Sequence, residues 1–157
     1  DMTVVDLGAG TGYFADLFSP QLPEGKIIAL DPESSLTTWM EERKKRDSLD
    51  NVYIHQITED DPGLDQLSDE IDLLFVGYTY FHFSDPVTYF RDKVYPYIQD
   101  KTVVAIADIA PVQGQARHTV SAQQVIIEMT EAGFELMTEP TTVYDQYLII
   151  FKKNLNR

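Results

Sequence analysis

Val4-Val5-Asp6-Leu7-Gly8-Ala9-Gly10-Thr11-Gly12 decides how this chain is read: an apolar run, one acid, then three glycines at alternate positions. The apolar run predicts a buried strand. The glycines let the backbone turn sharply and approach a ligand closely, because no Cβ intervenes. Beyond them Tyr13, Phe14, Leu17 and Phe18 recur at helical spacing, which predicts an amphipathic helix lying back against a sheet. Strand, glycine turn and helix in this order are how α/β sheets hold nucleotide cofactors. A plain turn without a ligand is the competing reading of any glycine cluster.

The elements that follow favour the cofactor loop. Lys26 to Asp31 reads as a second buried strand after the breaks at Pro20 and Pro23-Glu24-Gly25. Its last residue, Asp31, stands where a doubly wound sheet places the carboxylate that accepts hydrogen bonds from ribose hydroxyls. Asp31 also suits the cap of the next helix, with Pro32 at its first position. That helix runs from about Pro32 to Ser48 and carries Leu36, Trp39 and Met40 on one face, with Trp39 expected in the core or lining a groove. Asn51 to Thr58 is a third strand, followed by the acidic loop Thr58-Glu59-Asp60-Asp61-Pro62-Gly63. Ile71 to Val76 is apolar almost throughout, as in the centre of a parallel sheet.

Gly77-Tyr78-Thr79-Tyr80-Phe81-His82-Phe83 then brings aromatics and a histidine to the carboxyl edge, where α/β sheets bind ligands. Phe81 and Phe83 read as core, whereas the polar tips of Tyr78, Tyr80 and His82 speak against a fully dry location. A helix starts at Ser84-Asp85-Pro86, with Val87, Phe90, Val94 and Tyr97 at helical spacing. Thr102 to Ile109 is a fifth strand, and Asp108 points to the same edge. After a polar loop with Arg117 and His118, Ser121 and Gln124 predict a capping box and Gly133 the end of that helix. Phe134 to Val143 and Gln146 to Lys153 are expected as two strands of an antiparallel hairpin around Tyr144-Asp145.

The chain has 157 residues, enough for one domain with a substantial core. Its formal net charge of −14 argues against a surface that tracks a phosphate backbone. The basic run Arg43-Lys44-Lys45-Arg46 follows Glu41-Glu42 and reads as a solvated helix face with local charge pairing. Without cysteine there is no disulfide, thiolate metal site or cysteine nucleophile. His55, His82 and His118 lack metal-ligand spacing, so no metal is expected. No apolar run is long enough to span a bilayer. The expected partner is a small molecule rather than nucleic acid or membrane, and the expected compartment is the cytoplasm. The abrupt start at Asp1 points to a missing N-terminal segment, which leaves an upstream targeting segment open.

A dinucleotide fingerprint would put its third glycine one position later, where this chain has Tyr13. The Asp-x-Gly-x-Gly-x-Gly of Asp6 to Gly12 instead resembles the first motif of class I S-adenosylmethionine-dependent methyltransferases. More narrowly, the chain is similar to small bacterial-type methyltransferases of unassigned substrate. The shared features are the Gly-Ala-Gly-Thr-Gly-Tyr-Phe loop, the Asp-Asp-Pro after the third strand, the Thr-Tyr-x-His after the fourth and the Gln-Tyr before the last strand. The resemblance implies a Rossmann-like, doubly wound α/β fold over residues 1–157, with a seven-stranded, mostly parallel sheet and an antiparallel strand from the C-terminal hairpin.

It also implies S-adenosylmethionine as cofactor and methyl transfer as activity. Gly8, Gly10 and Gly12 would run under the amino-acid part of the cofactor, and Asp6 would help hold the loop and the cofactor's amino group. Asp31 would bind the ribose, and Ile57-Thr58-Glu59 stands where the family's adenine-contacting tripeptide lies, so its carboxylate has moved or its role falls to Glu59 or Asp60; Thr58 and Glu59 are cofactor candidates with Tyr78. The family's usual Asp-Thr-Tyr-His-His is here Tyr78 to His82, so Tyr78 replaces an acid and Phe81 a histidine.

Methyl transfer is an in-line displacement that asks the protein to orient a nucleophile and exclude water. His82 is the candidate base for a hydroxyl or ammonium acceptor, and Tyr80 the candidate positioning group. Arg117 and His118 form a loop pair suited to closing over an acidic substrate. A nicotinamide-dependent oxidoreductase and a catalytically inactive binding module are the alternatives.

Overall fold

The computed structural model describes residues 1–111 and 119–156, so the Arg117 and His118 pair lies outside the described residues. Parallel strands β1 (Thr3–Leu7), β2 (Lys26–Asp31), β3 (Val52–Gln56), β4 (Leu73–Gly77) and β5 (Val103–Ile109) form one sheet in the order β3-β2-β1-β4-β5. The order reverses between β1 and β4, which creates the crevice that doubly wound sheets use for ligands.

Beyond β5 the sheet turns antiparallel. Strand β8 (Gln146–Lys153) pairs with β5 and, on its other side, with β6 (Phe134–Leu136) and β7 (Thr141–Val143). The strand expected over Phe134 to Val143 is thus broken in two. From Leu136 to Thr141 it advances five residues while its partner retreats three, from Phe151 to Leu148, so two residues bulge out. Pro140, in the break, has no N–H to give the ladder. Because β6 and β7 lie end to end along β8, the sheet is seven strands wide although it counts eight.

The alternation of side chains along β1 separates two apolar layers. Val5 and Leu7 join Ile28, Leu74 and Ile106 in the larger one, under α3 (Pro86–Tyr89) and α4 (Ala122–Ala132). Val4 joins Ile27 and Ala29 in the smaller one, under Ala15 of α1 (Tyr13–Phe18) and Met40 of α2 (Ser34–Asp47). Tyr13 and Leu17 of α1 are 57% and 50% exposed, contrary to the expected apolar face. Phe14 and Phe18 turn inward instead, with ring centres 4.7 and 5.2 Å from that of Phe75. Trp39 is likewise 48% exposed, and Thr37 and Met40 are the buried residues of α2.

The helix after β4 is irregular. Asp85 caps it by accepting the Thr88 N–H, α3 then loosens into a π-helical stretch over Phe90–Val94, and a 3-10 turn at Tyr95–Tyr97 ends it. Pro96 explains the ending, since it cannot donate the next hydrogen bond. Ser121 caps α4 through the Gln124 N–H at 3.2 Å, but the Gln124 amide donates to Glu128, so the box is half made. Among the described residues no helix is long and apolar enough to cross a membrane.

Candidate active site

A cavity of about 860 Å³ opens at the carboxyl edge, along the crevice between β1 and β4. Gly8 and Gly10 form its floor, Asp31 stands at one side, Thr58 and Glu59 flank that side, and Tyr78 and His82 face them. Seven of the ten residues singled out in the sequence therefore meet at one cavity. Asp6, Gly12 and Tyr80 do not line it. Gly12 is buried at the start of α1, where an added Cβ would press on Met40.

The loop hydrogen bonds say what kind of ligand the floor can take. Gly8 and Ala9 donate their N–H groups to the Leu30 carbonyl at 2.8 and 3.0 Å, and Gly12 donates to the Ala9 carbonyl at 2.9 Å. Gly10 donates to Asp31 Oδ2 at 2.8 Å. Four loop donors are thus used internally, which removes the row of free N–H groups that a pyrophosphate needs. Gly10, at φ +58°, has open space where its Cβ would be, so the backbone there is bare to the cavity. At Gly8 an added Cβ would overlap the Thr79 side chain, whose hydroxyl donates to the Gly8 carbonyl at 2.9 Å.

Two carboxylates lie under the loop. Asp6 is almost fully buried in the α1 layer, accepts the Ala15 N–H, and has a second oxygen with no partner among the described residues. Burial, with the Asp31 charge adding to it, pushes its carboxyl up to about 7. Asp31 accepts from Gly10 through one oxygen and from the Glu33 N–H through the other, at 2.9 Å. It is not the cap of α2, which begins at Ser34 with Glu33 accepting from Ser35, and Pro32 precedes the helix. Acids beneath an open loop favour a cationic ligand, whose charge stabilises the carboxylate that burial disfavours. The orphaned Asp6 oxygen and the open face of Gly10 fit the ammonium and sulfonium of adenosylmethionine.

The segment after β4 sets the opposite wall. Tyr78 is a non-glycine residue at φ +53°, held by its N–H on the Ala107 carbonyl at 2.8 Å and by its hydroxyl on Gln146 Oε1 at 2.9 Å. His82 is exposed to the cavity and its ring centre is 4.1 Å from that of Phe81. Phe83, expected in the core, packs on the larger layer and also lines the cavity.

Tyr80 is a correction to the sequence reading. Its side chain is buried on the α4 side and its hydroxyl donates to Glu128 Oε2 at 3.0 Å, so it cannot touch an acceptor in the cavity. A 3-10 turn over Tyr80–His82 points alternate rings to opposite sides, which the sequence does not announce. Asp108 is buried too: one oxygen accepts the Ile109 N–H at 2.7 Å, the other has no partner among the described residues, and burial raises its carboxyl above the ordinary range.

The sequence reading missed Thr79, Tyr89 and Lys93. Thr79 ties the turn after β4 to the glycine loop, and its place beside Gly8 follows from β1 and β4 being neighbours. Tyr89 and Lys93 reach the cavity from the irregular helix, and Lys93 Nζ is 2.9 Å from Asp61 Oδ2. The basic run on α2 reaches the loop as well, because Arg43 pairs with Asp16 and donates to the Thr11 carbonyl at 3.3 Å.

The comparisons agree with this fold. Residues 1–151 match the methyltransferase domain family. No curated protein sequence matches the chain. Among solved structures, a SAM-dependent methyltransferase from Aquifex aeolicus gives a TM-score of 0.86 at 20% identity, over 96% of this chain and 81% of that one. The glycopeptide N-methyltransferase MtfA, complexed with sinefungin, gives 0.78 at 12% identity, over 98% of this chain and 81% of that one. The mitomycin 7-O-methyltransferase MmcR gives 0.78 at 13% identity, over 97% of this chain, which spans about half of its length (49%). Likeness at these identities shows a common fold, and the family match adds the chemistry that the fold alone does not carry. With nearly all of its residues matched, the chain belongs to the methyltransferase domain family and is a class I S-adenosylmethionine-dependent methyltransferase.

Proposed function

We propose that residues 1–157 form one catalytic domain that methylates a small-molecule acceptor held in the outer half of the cavity, with Asp31, Thr58 and Glu59 on the cofactor side and His82 as base. The observation that carries the cofactor side is the glycine loop with its N–H groups already bonded, open at Gly10 and underlain by Asp6 and Asp31. When bound, S-adenosylmethionine supplies an electrophilic methyl group on a sulfonium sulfur. Asp31 keeps lone pairs for the ribose hydroxyls after its two backbone bonds. The open backbone of Gly8 to Gly10 takes the amino-acid end, and its ammonium group favours the ionised form of Asp6 beneath it. Thr58 and Glu59, exposed on the loop after β3, flank the adenine end. Phe14 and Phe83 line the cavity and help exclude water. His82 takes the acceptor's proton. The formal charge of −14 supports a small molecule over a nucleic acid as acceptor.

Calorimetric titration with S-adenosylmethionine, S-adenosylhomocysteine and NAD tests this reading. The first two should bind saturably and NAD should not, and Gly10→Val should abolish binding by filling the bare face of the loop. With an acceptor in hand, His82→Ala should leave cofactor affinity unchanged and slow turnover by about 10²–10⁴-fold. Binding of NAD alone would remove the cofactor assignment, and unchanged turnover would remove His82 as base.

A further inference from the structure

Asp6 is a buried acid without a counter-charge. Its side chain is 1% exposed, it accepts the Ala15 N–H, and Oδ2 has no hydrogen-bond partner among the described residues. A carboxylate there loses its hydration against a single backbone hydrogen bond, so burial works against its charged form. The elements packed around it supply no free cation. Asp31 of β2 acts on it with a like charge, Asp16 of α1 is engaged with Arg43 of α2, and β4 sets the apolar Phe75 beside it in the sheet. Burial first, with Asp31 adding to it, pushes the carboxyl up to about 7, and below neutral pH the group is mostly protonated.

A second observation is the opening above this acid. Gly8 and Gly10 follow Asp6 closely in the chain and floor the cavity, and nothing covers the Cβ side of Gly10. Asp31 joins the two: its Oδ2 accepts the Gly10 N–H at 2.8 Å, and its charge acts on Asp6. The orphaned oxygen and the bare floor therefore share one electrostatic neighbourhood. A cation laid on that floor supplies the counter-charge that the fold withholds.

We infer that the cofactor and a proton compete at this site: Asp6 holds a proton in the cofactor-free protein and releases it to solvent when the cofactor's ammonium group settles on the glycine loop. This rests on the cofactor reading above and adds a proton to its binding equilibrium. The O–H bond breaks with its electron pair left on the carboxylate, and the ammonium balances the charge so created. Affinity rises with pH across the range in which free Asp6 ionises, and levels off above it. Acidic conditions thus unload the cofactor without altering any residue that contacts the acceptor.

The test is calorimetric titration with S-adenosylhomocysteine at fixed pH in buffers of different ionisation enthalpy, where the dependence of the heat on the buffer counts the protons released. Wild type is expected to release about 0.4–0.9 proton per ligand at pH 6.0 and less than about 0.1 at pH 8.5, and to bind about 5–30-fold more weakly at pH 5.5 than at pH 8.5. 5′-Methylthioadenosine, which lacks the amino-acid end, should bind with no release at pH 6.0. Asp6→Asn should bind S-adenosylhomocysteine with less than about 0.1 proton released at pH 6.0 and with an affinity that changes about twofold or less between pH 5.5 and pH 8.5. Binding by wild type without release at pH 6.0, equal release with both ligands, or undiminished release in Asp6→Asn overturns the linkage. The wild-type titrations need no variant, so a folding defect in Asp6→Asn leaves them decisive. Failure of S-adenosylhomocysteine to bind even at pH 8.5 overturns the cofactor reading instead.

Discussion

At the scale of residues, Asp6 and Tyr78 show how function is written against local preference. Burial raises the Asp6 carboxyl from 3.8 to about 7, so ionising it costs the native state and not the unfolded chain. The native protein holds a proton there that the unfolded chain has lost, and stability from this group declines as pH rises from about 4 through about 7. Asp6→Asn keeps an acceptor for the Ala15 N–H and removes the titration. Its stability relative to wild type should therefore rise by about 1–4 kcal/mol between pH 5 and pH 8. Urea unfolding of both proteins at the two pH values checks it, and a constant difference would mean that Asp6 is already ionised at pH 5. Tyr78 stands at a left-handed φ where the resembling family has an acid, and aspartate tolerates that conformation better than tyrosine. The bonds to Ala107 and Gln146 offset the strain, and strain of this kind collects at working sites.

At the scale of elements, Asp85 and Ser121 cap their helices as the sequence specifies, whereas the buried faces of α1 and α2 differ from the expected ones. Ser121 accepts the Gln124 N–H, so Ser121→Ala should cost about 0.5–2 kcal/mol of stability in urea unfolding. Gln124→Ala should cost less, because its amide bonds Glu128 on the exposed face and closes no box. Equal costs would show that the reciprocal bond forms in solution. The short helix α1 turns Phe14 and Phe18 inward onto Phe75, a residue of β4, and leaves Tyr13 and Leu17 exposed. A six-residue helix has too few apolar positions for spacing alone to choose its buried side.

At the scale of the whole molecule, burial follows the two layers rather than apolar spacing along the chain. Phe90 is fully buried in the larger layer, where it meets Tyr80, Phe83 and Phe134, and Phe90→Ala should cost about 3–5 kcal/mol. Leu17 has the same apparent place in a helical pattern but stands half exposed, and Leu17→Ala should change stability by less than about 0.5 kcal/mol. Thermal or urea unfolding of the two variants checks the contrast. Comparable losses would mean that another surface covers α1 in solution.

The sequence by itself determined the five parallel strands, the glycine loop, the family and the carboxyl edge as the place of the cavity, because continuous apolar runs and glycine spacing are local signals. Only the tertiary structure decided that Gly10 and Asp31 share a hydrogen bond, that Thr79 locks Gly8, and that Tyr80 faces Glu128 instead of the cavity. Each of these joins residues from elements far apart in the chain, and their meeting depends on strand order and on a 3-10 turn, neither of which composition or spacing encodes. The place of Tyr89 belongs with them, because the start of the irregular helix after β4 brings it to the cavity.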